Sequence, residues 1–278
     1  MRLRPATPIL SRGDGGAQVG LAKPLVLEGL STKELAFLAT LEGGRAIGRL
    51  ERRTYGTLIA ALEASDVEAR PPRPRGVARF HSASAIAVDA ATALARIGWA
   101  VAFADAAPLR RSGVTGARVA PGSSRGLAAA HTVSARVAGA DVRAASAPAD
   151  LEVLVSVGLP VYAARALMAA DVPHLLVCTD EQGASVGPVI TPGVGPCCTC
   201  LGLWATEADA QWPALALQCE GRTPHSDPLV ASVAGALVAL VASDFAEGRD
   251  GSRWRVDEDG VRGQPVGQRH PACACANH

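Results

Sequence analysis

The hydrophobic positions in the first 74 residues predict a small module of strands and helices. A dense apolar pattern predicts a turn and a strand within 15–27, and apolar residues spaced three and four apart predict a helix after Ser31. Ser31 and Glu34 have the spacing of a capping box at the start of that helix. Two more short helices and a return strand at Val67 complete a winged-helix-like α+β module.

From residue 75 onward, short apolar runs alternate with helical periodicity. Residues 77–86 predict a strand followed by a turn, the spacing at 87–97 predicts a helix, and the apolar run at 99–104 predicts a second strand. A strand, a helix and a parallel strand form the first unit of a doubly wound α/β sheet. Further strands are predicted at 140–144, 151–157, 174–178 and 186–190, and further helices at 128–137, 162–170 and 231–245.

A proline-rich segment at 71–74 marks the boundary between the two patterns. Proline donates no backbone hydrogen bond and favours extended linkers. We therefore predict two domains, 1–74 and 75–278. The helix at 231–245 is apolar over most of its surface, which places it either in the core of the second domain or at the interface of a homodimer.

Composition narrows the classes of partner. The chain has 278 residues, of which 49% are apolar and only 4% aromatic, so its core is built from small aliphatic side chains. The net charge of +1 creates no global field that would attract nucleic acid or an acidic membrane. No segment resembles a signal peptide, and the most apolar stretch, 229–245, is short for a membrane-spanning helix. We expect a soluble, cytoplasmic protein without a nucleic-acid or membrane partner.

The spacing of the cysteines predicts a metal site. Cys197 and Cys200 form a C-x-x-C pair, and Cys273 and Cys275 form a C-x-C pair far along the chain. Two such pairs can complete a tetrahedral zinc site, and four thiolates leave no position for water, so the zinc would be structural. Buried unpaired thiols and disulfides are the alternatives, but short paired spacings in an intracellular chain favour zinc.

The predicted sheet lacks the glycine-rich loop that holds nucleotide phosphates. The turn after its first strand has the sequence His-Ser-Ala-Ser-Ala-Ile at 81–86, and each Cβ atom there obstructs the close approach of a phosphate. Asp105 follows the second strand, where it either contacts a ribose or is a solvent-exposed carboxylate. No lysine follows Lys33. We therefore expect ATP to bind weakly or not at all.

The N-terminal module has the size of domains that bind DNA or peptides. Its third helix carries Glu63 between alanines and almost no positive charge, which disfavours DNA. A peptide can add as a strand at an open sheet edge, with pockets for its side chains. The apolar residues predicted to line that groove are Val19, Leu21, Leu25, Leu27, Leu35 and Leu38. A purely structural cap is the alternative.

The order of motifs resembles the ThiF-like superfamily. The strand–helix–strand unit ending at Asp105 is followed by Gly-Pro-Val-Ile-Thr-Pro-Gly-Val-Gly-Pro-Cys-Cys-Thr-Cys at 187–200, and the chain finishes with His-Pro-Ala-Cys-Ala-Cys at 270–275. More narrowly, the chain is similar to the ocin-type ThiF-like proteins of azole- and azoline-forming peptide gene clusters, often called cyclodehydratases. Its N-terminal module resembles their PqqD-like precursor-recognition element. The fold implied is a degenerate ThiF-like doubly wound sheet.

The resemblance also implies roles for particular residues. The four paired cysteines match the family's zinc ligands, and Asp105 matches the acidic residue that contacts ribose in active adenylyltransferases. Arg110 and Arg125 could supply positive charge to phosphates, but arginine alone does not restore the missing glycine loop. The aspartate that holds a metal ion in active members is missing, since Leu-Val-Ser-Val-Gly stands at 154–158.

The function implied is a non-catalytic subunit that binds a precursor or leader peptide and presents it to a separate ATP-using YcaO enzyme. An ATP-dependent adenylyltransferase with a divergent nucleotide site is the alternative from another class. A dimeric scaffold without either activity is a third hypothesis.

Overall fold

The computed structural model describes the whole chain except residues 5, 14, 66, 70–74, 110–121, 250 and 278, and the side chains of 276 and 277. The chain divides into two compact units, Met1–Arg73 and Pro74–His278. Each unit has its own hydrophobic core.

The first unit contains a three-stranded antiparallel sheet followed by three short helices. Its strands are β1 (Ile9–Ser11), β2 (Ala17–Val19) and β3 (Leu25–Leu27), which lie in the order β1-β2-β3. Its helices are α1 (Thr32–Ala39), α2 (Arg49–Thr54) and α3 (Gly56–Glu63). Leu3, Leu38 and Leu62 are fully buried between the sheet and the helices, and the rings of Phe37 and Tyr55 stack at 4.2 Å.

Local sequence signals in this unit are confirmed at the start of α1. The backbone N–H of Ser31 donates to the Glu34 carboxylate at 2.8 Å, and the N–H of Glu34 donates to the Ser31 hydroxyl at 3.3 Å, which is a complete capping box. The single strand predicted within 15–27 is instead two strands, because Gly20 adopts a φ of +84° and turns the chain between them. The return strand predicted at Val67 is only an isolated bridge between Leu3 and Glu68.

The second unit is built on a seven-stranded mixed sheet in the order β10-β9-β8-β7-β6-β4-β5. Its strands are β4 (Val77–Phe80), β5 (Ala100–Phe103), β6 (Leu151–Val157), β7 (His174–Thr179), β8 (Gly183–Ile190), β9 (Arg253–Asp257) and β10 (Gly260–Gln264). Its helices are α4 (Ala85–Arg96), α5 (Arg125–Arg136), α6 (Val161–Ala169), α7 (Cys198–Ala208), α8 (Trp212–Cys219) and α9 (Pro228–Ala246). The strands β5, β4, β6 and β7 are parallel, and β7 to β10 are antiparallel.

The α/β class and the central parallel strands are therefore as the sequence predicted. The strand predicted at 140–144 is only a single bridge between Val101 and Val142. The hairpin of β9 and β10 was not predicted.

Helices cover both faces of the sheet, and the two faces differ in the side chains that pack against them. Alternate residues of β6 point to opposite faces, so Val153 packs with α4 and α9 while Leu154 packs with α6 and α7. The first face carries the main aliphatic core. The second face carries the cysteines.

Helix α9 lies against α4 at very short range. A Cβ atom added at Gly235 would lie 2.8 Å from the backbone nitrogen of Ala90, so only glycine allows this approach. The expectation that this segment is too short to span a membrane is wrong. Helix α9 has 19 residues and a mean hydropathy of 2.0, so its length and composition alone would allow it to cross. Half of its apolar window is buried within the unit, which is the burial expected of a core helix.

Candidate metal centre and strand-end pocket

The four paired cysteines come together at the start of α7. Their sulfur atoms all lie within 4.8 Å of one another. The Sγ–Sγ distance is 3.8 Å between Cys197 and Cys200, 3.6 Å between Cys197 and Cys273, and 3.2 Å between Cys200 and Cys275. The pairing expected from the sequence is therefore present in space, although the two pairs lie more than 70 residues apart in the chain.

This donor set fits a structural metal ion. In a tetrahedral site with Zn–S bonds of about 2.3 Å, the sulfur atoms lie about 3.8 Å apart. The distances from Cys197 to Cys200 and to Cys273 are close to that value, the distance from Cys200 to Cys275 is shorter, and three of the four cysteines are buried. Cys197 is the N-cap of α7, where the positive end of the helix dipole favours a thiolate. The cluster can hold a metal ion with four sulfur ligands and no open position.

The polar surroundings of the cluster assist ionisation of one thiol. Burial opposes ionisation of Cys200, but backbone hydrogen bonds from His270 and Cys197 outweigh it and lower its pKa to about 7. Burial raises the pKa of Cys273, and hydrogen bonds with the thiols of Cys200 and Cys197 add to that effect, while those with Cys275 oppose it. Cys200 therefore ionises near neutral pH, whereas the raised pKa values of Cys273 and Cys275 mean that a bound cation would be needed to hold those two as thiolates.

A C-terminal strap, residues 267–275, carries the second cysteine pair and is fixed to the rest of the unit by polar contacts. Arg269 donates to the carbonyl oxygens of Gly195 at 2.9 Å and of Gly193 at 2.6 Å. The Trp204 indole N–H donates to the Gln268 carbonyl at 3.0 Å. These bonds hold the strap beside α7 independently of any metal.

His270 links the strap to α7. Its Nδ1 accepts the N–H of Ala272 at 3.1 Å, so the proton lies on Nε2, which donates to the Glu207 carboxylate at 2.9 Å. Its ring packs edge-on against Trp204. The sequence indicated this position only as part of the motif around the last cysteines, and the structure shows that its ring joins the strap to α7 beside the candidate metal centre.

A second candidate site lies at the carboxyl ends of the parallel strands. A cavity of about 260 Å³ is lined there by His81, Asp105, Arg125, Thr223 and neighbouring residues. Gly126, in the first turn of α5, allows this helix to approach the end of β5, because a Cβ there would lie 2.9 Å from the Asp105 carbonyl oxygen. This is the edge at which doubly wound sheets bind their ligands.

Asp105 is fully engaged by the protein itself. Its Oδ2 accepts the backbone N–H of Ala83 at 2.9 Å and pairs with Arg125 at the same distance, and its Oδ1 accepts the N–H of Ala107 at 3.1 Å. Its side chain is 6% exposed, so the alternative of a solvent-exposed carboxylate is wrong. Arg125 in turn donates to the Thr223 hydroxyl at 3.0 Å. Arg110, the other arginine proposed for phosphates, lies outside the described residues.

A buried charged network beside this cavity was not predicted. Glu152 of β6 is 1% exposed, pairs with Arg79 of β4 through both carboxylate oxygens and accepts from His81 Nε2 at 2.8 Å. Burial raises the pKa of Glu152, but the hydrogen bonds from His81 and Arg79 outweigh it and leave the pKa below its usual value. The available signal was a carboxylate inside the otherwise apolar run at 151–157, since a buried charge needs a partner.

His174 lies beside this network in the register of the sheet. It is opposite Glu152, is fully buried, and its Nδ1 donates to the Val172 carbonyl at 2.9 Å. No hydrogen-bond partner reaches its Nε2 among the described residues. Burial lowers the pKa of His174, so the ring is neutral in the folded protein.

The residues predicted to bind a peptide divide into two groups. Val19 and Leu38 are fully buried in the core of the first unit and present no surface to a partner. Leu25, Leu27 and Leu35 are partly buried against that core, and Leu21 is 67% exposed. A surface cavity of about 430 Å³ adjoins Leu21 and includes Gly20, Lys23 and Val67 in its lining. A peptide on this unit would therefore contact the second group only.

No protein-family model and no curated protein sequence matches the chain. Solved structures match along almost its whole length. Escherichia coli MccB with AMPCPP and MccA has a TM-score of 0.61 at 16% identity and covers 98% of both chains. The microcin C7 biosynthetic enzyme MccB in complex with N-formylated MccA has a TM-score of 0.64 at 14% identity, with the same coverage. PaaA has a TM-score of 0.59 at 12% identity and covers 95% of this chain and 99% of its own. At these identities the match shows the fold alone, which is the expected ThiF-like fold.

Proposed function

We propose that the chain is a peptide-binding subunit of a peptide-modifying system and that it does not itself use ATP. The contacts of Asp105 are the observation that supports the absence of ATP use. Both of its carboxylate oxygens accept hydrogen bonds from the protein, and Arg125 neutralises its charge. A ribose would have to displace these contacts, and the loop at 81–84 offers side chains where a phosphate needs bare backbone.

The peptide-binding half is supported by the fold and by the surface of the first unit. The match to MccB bound to N-formylated MccA spans nearly the whole chain, including the first unit, and an N-formyl group is typical of a newly made bacterial polypeptide. Strand β3 is an edge strand in the described sheet, with Val26 exposed and Leu25 and Leu27 partly buried. An extended peptide can add to such an edge. In this proposal the first unit is a PqqD-like recognition element.

The proposal extends to the partners and the metal. The peptide would be delivered to a separate YcaO-type enzyme that uses ATP, and the subunit would act as a homodimer. Zinc would be held by Cys197, Cys200, Cys273 and Cys275, and its role would be structural, because four thiolates leave no position for substrate. Such an ion would fasten the strap to α7.

A direct test measures binding of the short peptides encoded beside the gene to the full-length protein by fluorescence anisotropy. Leu21→Asp should weaken binding about tenfold or more, because the exposed leucine offers apolar contact and an aspartate does not. The matched control is Leu217→Asp, at an exposed leucine of α8. Equal affinities in the two variants, or no binding to any such peptide, would remove the recognition role.

The second candidate is ATP-dependent adenylyl transfer. It is favoured by the match to E. coli MccB with ATP, which covers 99% of both chains at a TM-score of 0.59. In this candidate Arg125 would leave Asp105 when nucleotide binds. Calorimetric titration with ATP and magnesium, followed by pyrophosphate exchange, separates the two functions: exchange that Asp105→Ala abolishes would establish the enzyme.

A further inference from the structure

A groove at one end of the second unit lies between the start of α9 and the turns of two hairpins. It has a volume of about 560 Å³. The β7–β8 turn contributes Glu181, the N-cap of α9 contributes Asp227, and the β9–β10 turn contributes Glu258. We call this region, with Leu229 and Val261 at its mouth, the acidic groove. It shares no lining residue with the strand-end cavity.

The floor and mouth of the acidic groove are apolar. Val230 and Val256 are buried beneath it. Leu229 is 72% exposed and Val261 is 47% exposed, although both belong to regular elements. Two aliphatic side chains this exposed, over an apolar floor, leave area that a partner can remove from water.

The rim of the groove carries three carboxylates, and one of them, Asp227, caps α9 by accepting the backbone N–H of Leu229 at 2.8 Å. Asp180 and Asp257 lie nearby but are paired with arginines: Asp180 with Arg255, and Asp257 with Arg255 and with Arg262 of β10. No ion pair joins Glu181, Asp227 or Glu258 to a cation within the described part of the chain. These three carboxylates come from separate segments and face one apolar cleft, which favours a cationic occupant.

The groove also borders an open sheet edge. Strand β10 is the last strand of the seven-stranded sheet and pairs only with β9. Along the outer side of Gly260–Gln264, no hydrogen bond to another described element is present. In an antiparallel pair, alternate residues of an edge strand turn their N–H and C=O groups outward, which is a template for a further strand.

We propose that the acidic groove docks an extended, cationic and apolar segment of a partner protein, which adds to β10 as an eighth strand of the sheet. Alternate side chains of this segment enter the cleft beside Leu229 and Val261, and its lysines or arginines meet Glu181, Asp227 and Glu258. A second copy of this chain is the disfavoured occupant, because a symmetric contact would bring the same carboxylates towards one another. This docking site does not depend on the peptide-binding site proposed on the first unit.

The test uses the full-length protein and a short labelled peptide that alternates lysine and valine. Binding is followed by fluorescence anisotropy, and hydrogen exchange locates the site. We expect saturable binding that weakens with added salt and slows amide exchange at 260–264. A peptide of the same sequence with alternate backbone amides N-methylated has the same charge but cannot donate as a strand, and it should bind about tenfold more weakly or worse.

Charge-reversal variants test whether the cationic peptide binds in the acidic groove or is attracted to negative charge anywhere on the protein. The double variant Glu181→Lys, Glu258→Lys should weaken binding by about tenfold or more, whereas Asp141→Lys, at an exposed carboxylate outside the groove, should leave it within about twofold. Exchange protection elsewhere, equal binding of the N-methylated peptide, or equal affinity in the two charge variants would overturn the proposal. A dimer in sedimentation that Val261→Asp dissociates would also overturn it, in favour of the second copy.

Discussion

At the scale of single residues, three buried charged side chains of the second unit each have a partner of opposite charge. Asp105, Glu152 and Arg255 are all buried, and each is held by at least one opposite charge. A buried ion pair contributes little net stability, but removing one partner leaves an unpaired charge that is costly. Conservative substitutions at these positions should therefore lower the free energy of unfolding, whereas the same substitutions at the surface would change it little.

Asp105→Asn should lower the free energy of unfolding by about 2 kcal/mol, because it leaves Arg125 facing a neutral amide in a mostly buried setting. The matched control is Asp141→Asn, which breaks an exposed pair with Arg143 and should cost less than about 0.5 kcal/mol. Urea denaturation measures both. Equal small losses would mean that Arg125 finds a new partner or water.

His174 gives the stability of the protein a defined pH dependence. Burial lowers its folded pKa, so below about pH 6.5 the unfolded chain binds a proton that the folded protein does not. Stability is therefore complete above that pH and falls as the pH drops towards the folded pKa. Glu152 titrates below this window, because its own folded pKa is held below the usual value.

We expect His174→Leu to flatten this decline when free energies of unfolding are compared at about pH 7.5 and about pH 5.5. The variant is also less stable near neutral pH, because the Val172 carbonyl loses its donor. His225→Leu, at an exposed histidine, should keep the decline of the wild type. A variant at His174 with the wild-type slope would assign the pH dependence to other groups.

At the scale of secondary-structure elements, the approach of α9 to α4 depends on one glycine. Gly235→Ala should destabilise the protein by about 1–3 kcal/mol through overpacking, although alanine is the better helix former by about 1 kcal/mol. Gly202→Ala in α7 is the matched control, because its Cβ would lie 3.5 Å from the nearest atom, an ordinary contact. That change should stabilise by up to about 1 kcal/mol. Thermal unfolding of the two variants gives shifts of opposite sign.

Elements were predictable from the sequence where their signal is local. The run at 151–157 is apolar except at Glu152 and Ser156, and β6 has those bounds. The hairpin of β9 and β10 was missed because arginine, aspartate and glycine interrupt its alternation, as on a sheet edge that faces solvent on one side. Residue type also could not separate Leu38, which is buried, from Leu21, which is exposed.

The candidate sites were likewise predictable from the sequence only where their signal is local. The cysteine spacings of two and one residues are local and predicted the cluster. The contacts of Glu152 with Arg79 and His81 join residues 73 and 71 positions apart, and only the parallel register of β4 and β6 brings them together. Likewise, Asp105 was expected at the end of β5, but its pairing with Arg125 depends on the way α5 returns to that strand.

At the scale of the whole molecule, the two units differ in how they are held together. The first depends on its own apolar core. The second has, in addition, the thiol cluster that joins α7 to the strap. The same loss of metal should therefore affect the two units differently.

Metal analysis of the purified protein should give close to one zinc per chain, and Cys273→Ser should lower both the zinc content and the melting temperature, since binding and folding are coupled. Hydrogen exchange of the variant should accelerate in 197–208 and 267–275 and stay unchanged in 9–27. Cys219→Ser, at a half-buried cysteine outside the cluster, is the control. A folded, metal-free wild-type protein with unmodified thiols would contradict the zinc assignment.

The long separation between the two cysteine pairs has a consequence for how the chain is made. During synthesis, the ribosome releases Cys197 and Cys200 well before Cys273 and Cys275, so the emerging α7 carries two cysteine thiols without their partners. The first unit needs no residue beyond 73 for its core and can fold while translation continues. A message truncated a few codons before Cys273 would therefore yield a complete first unit attached to an unfinished second one, and such a product is a natural target for cellular proteases.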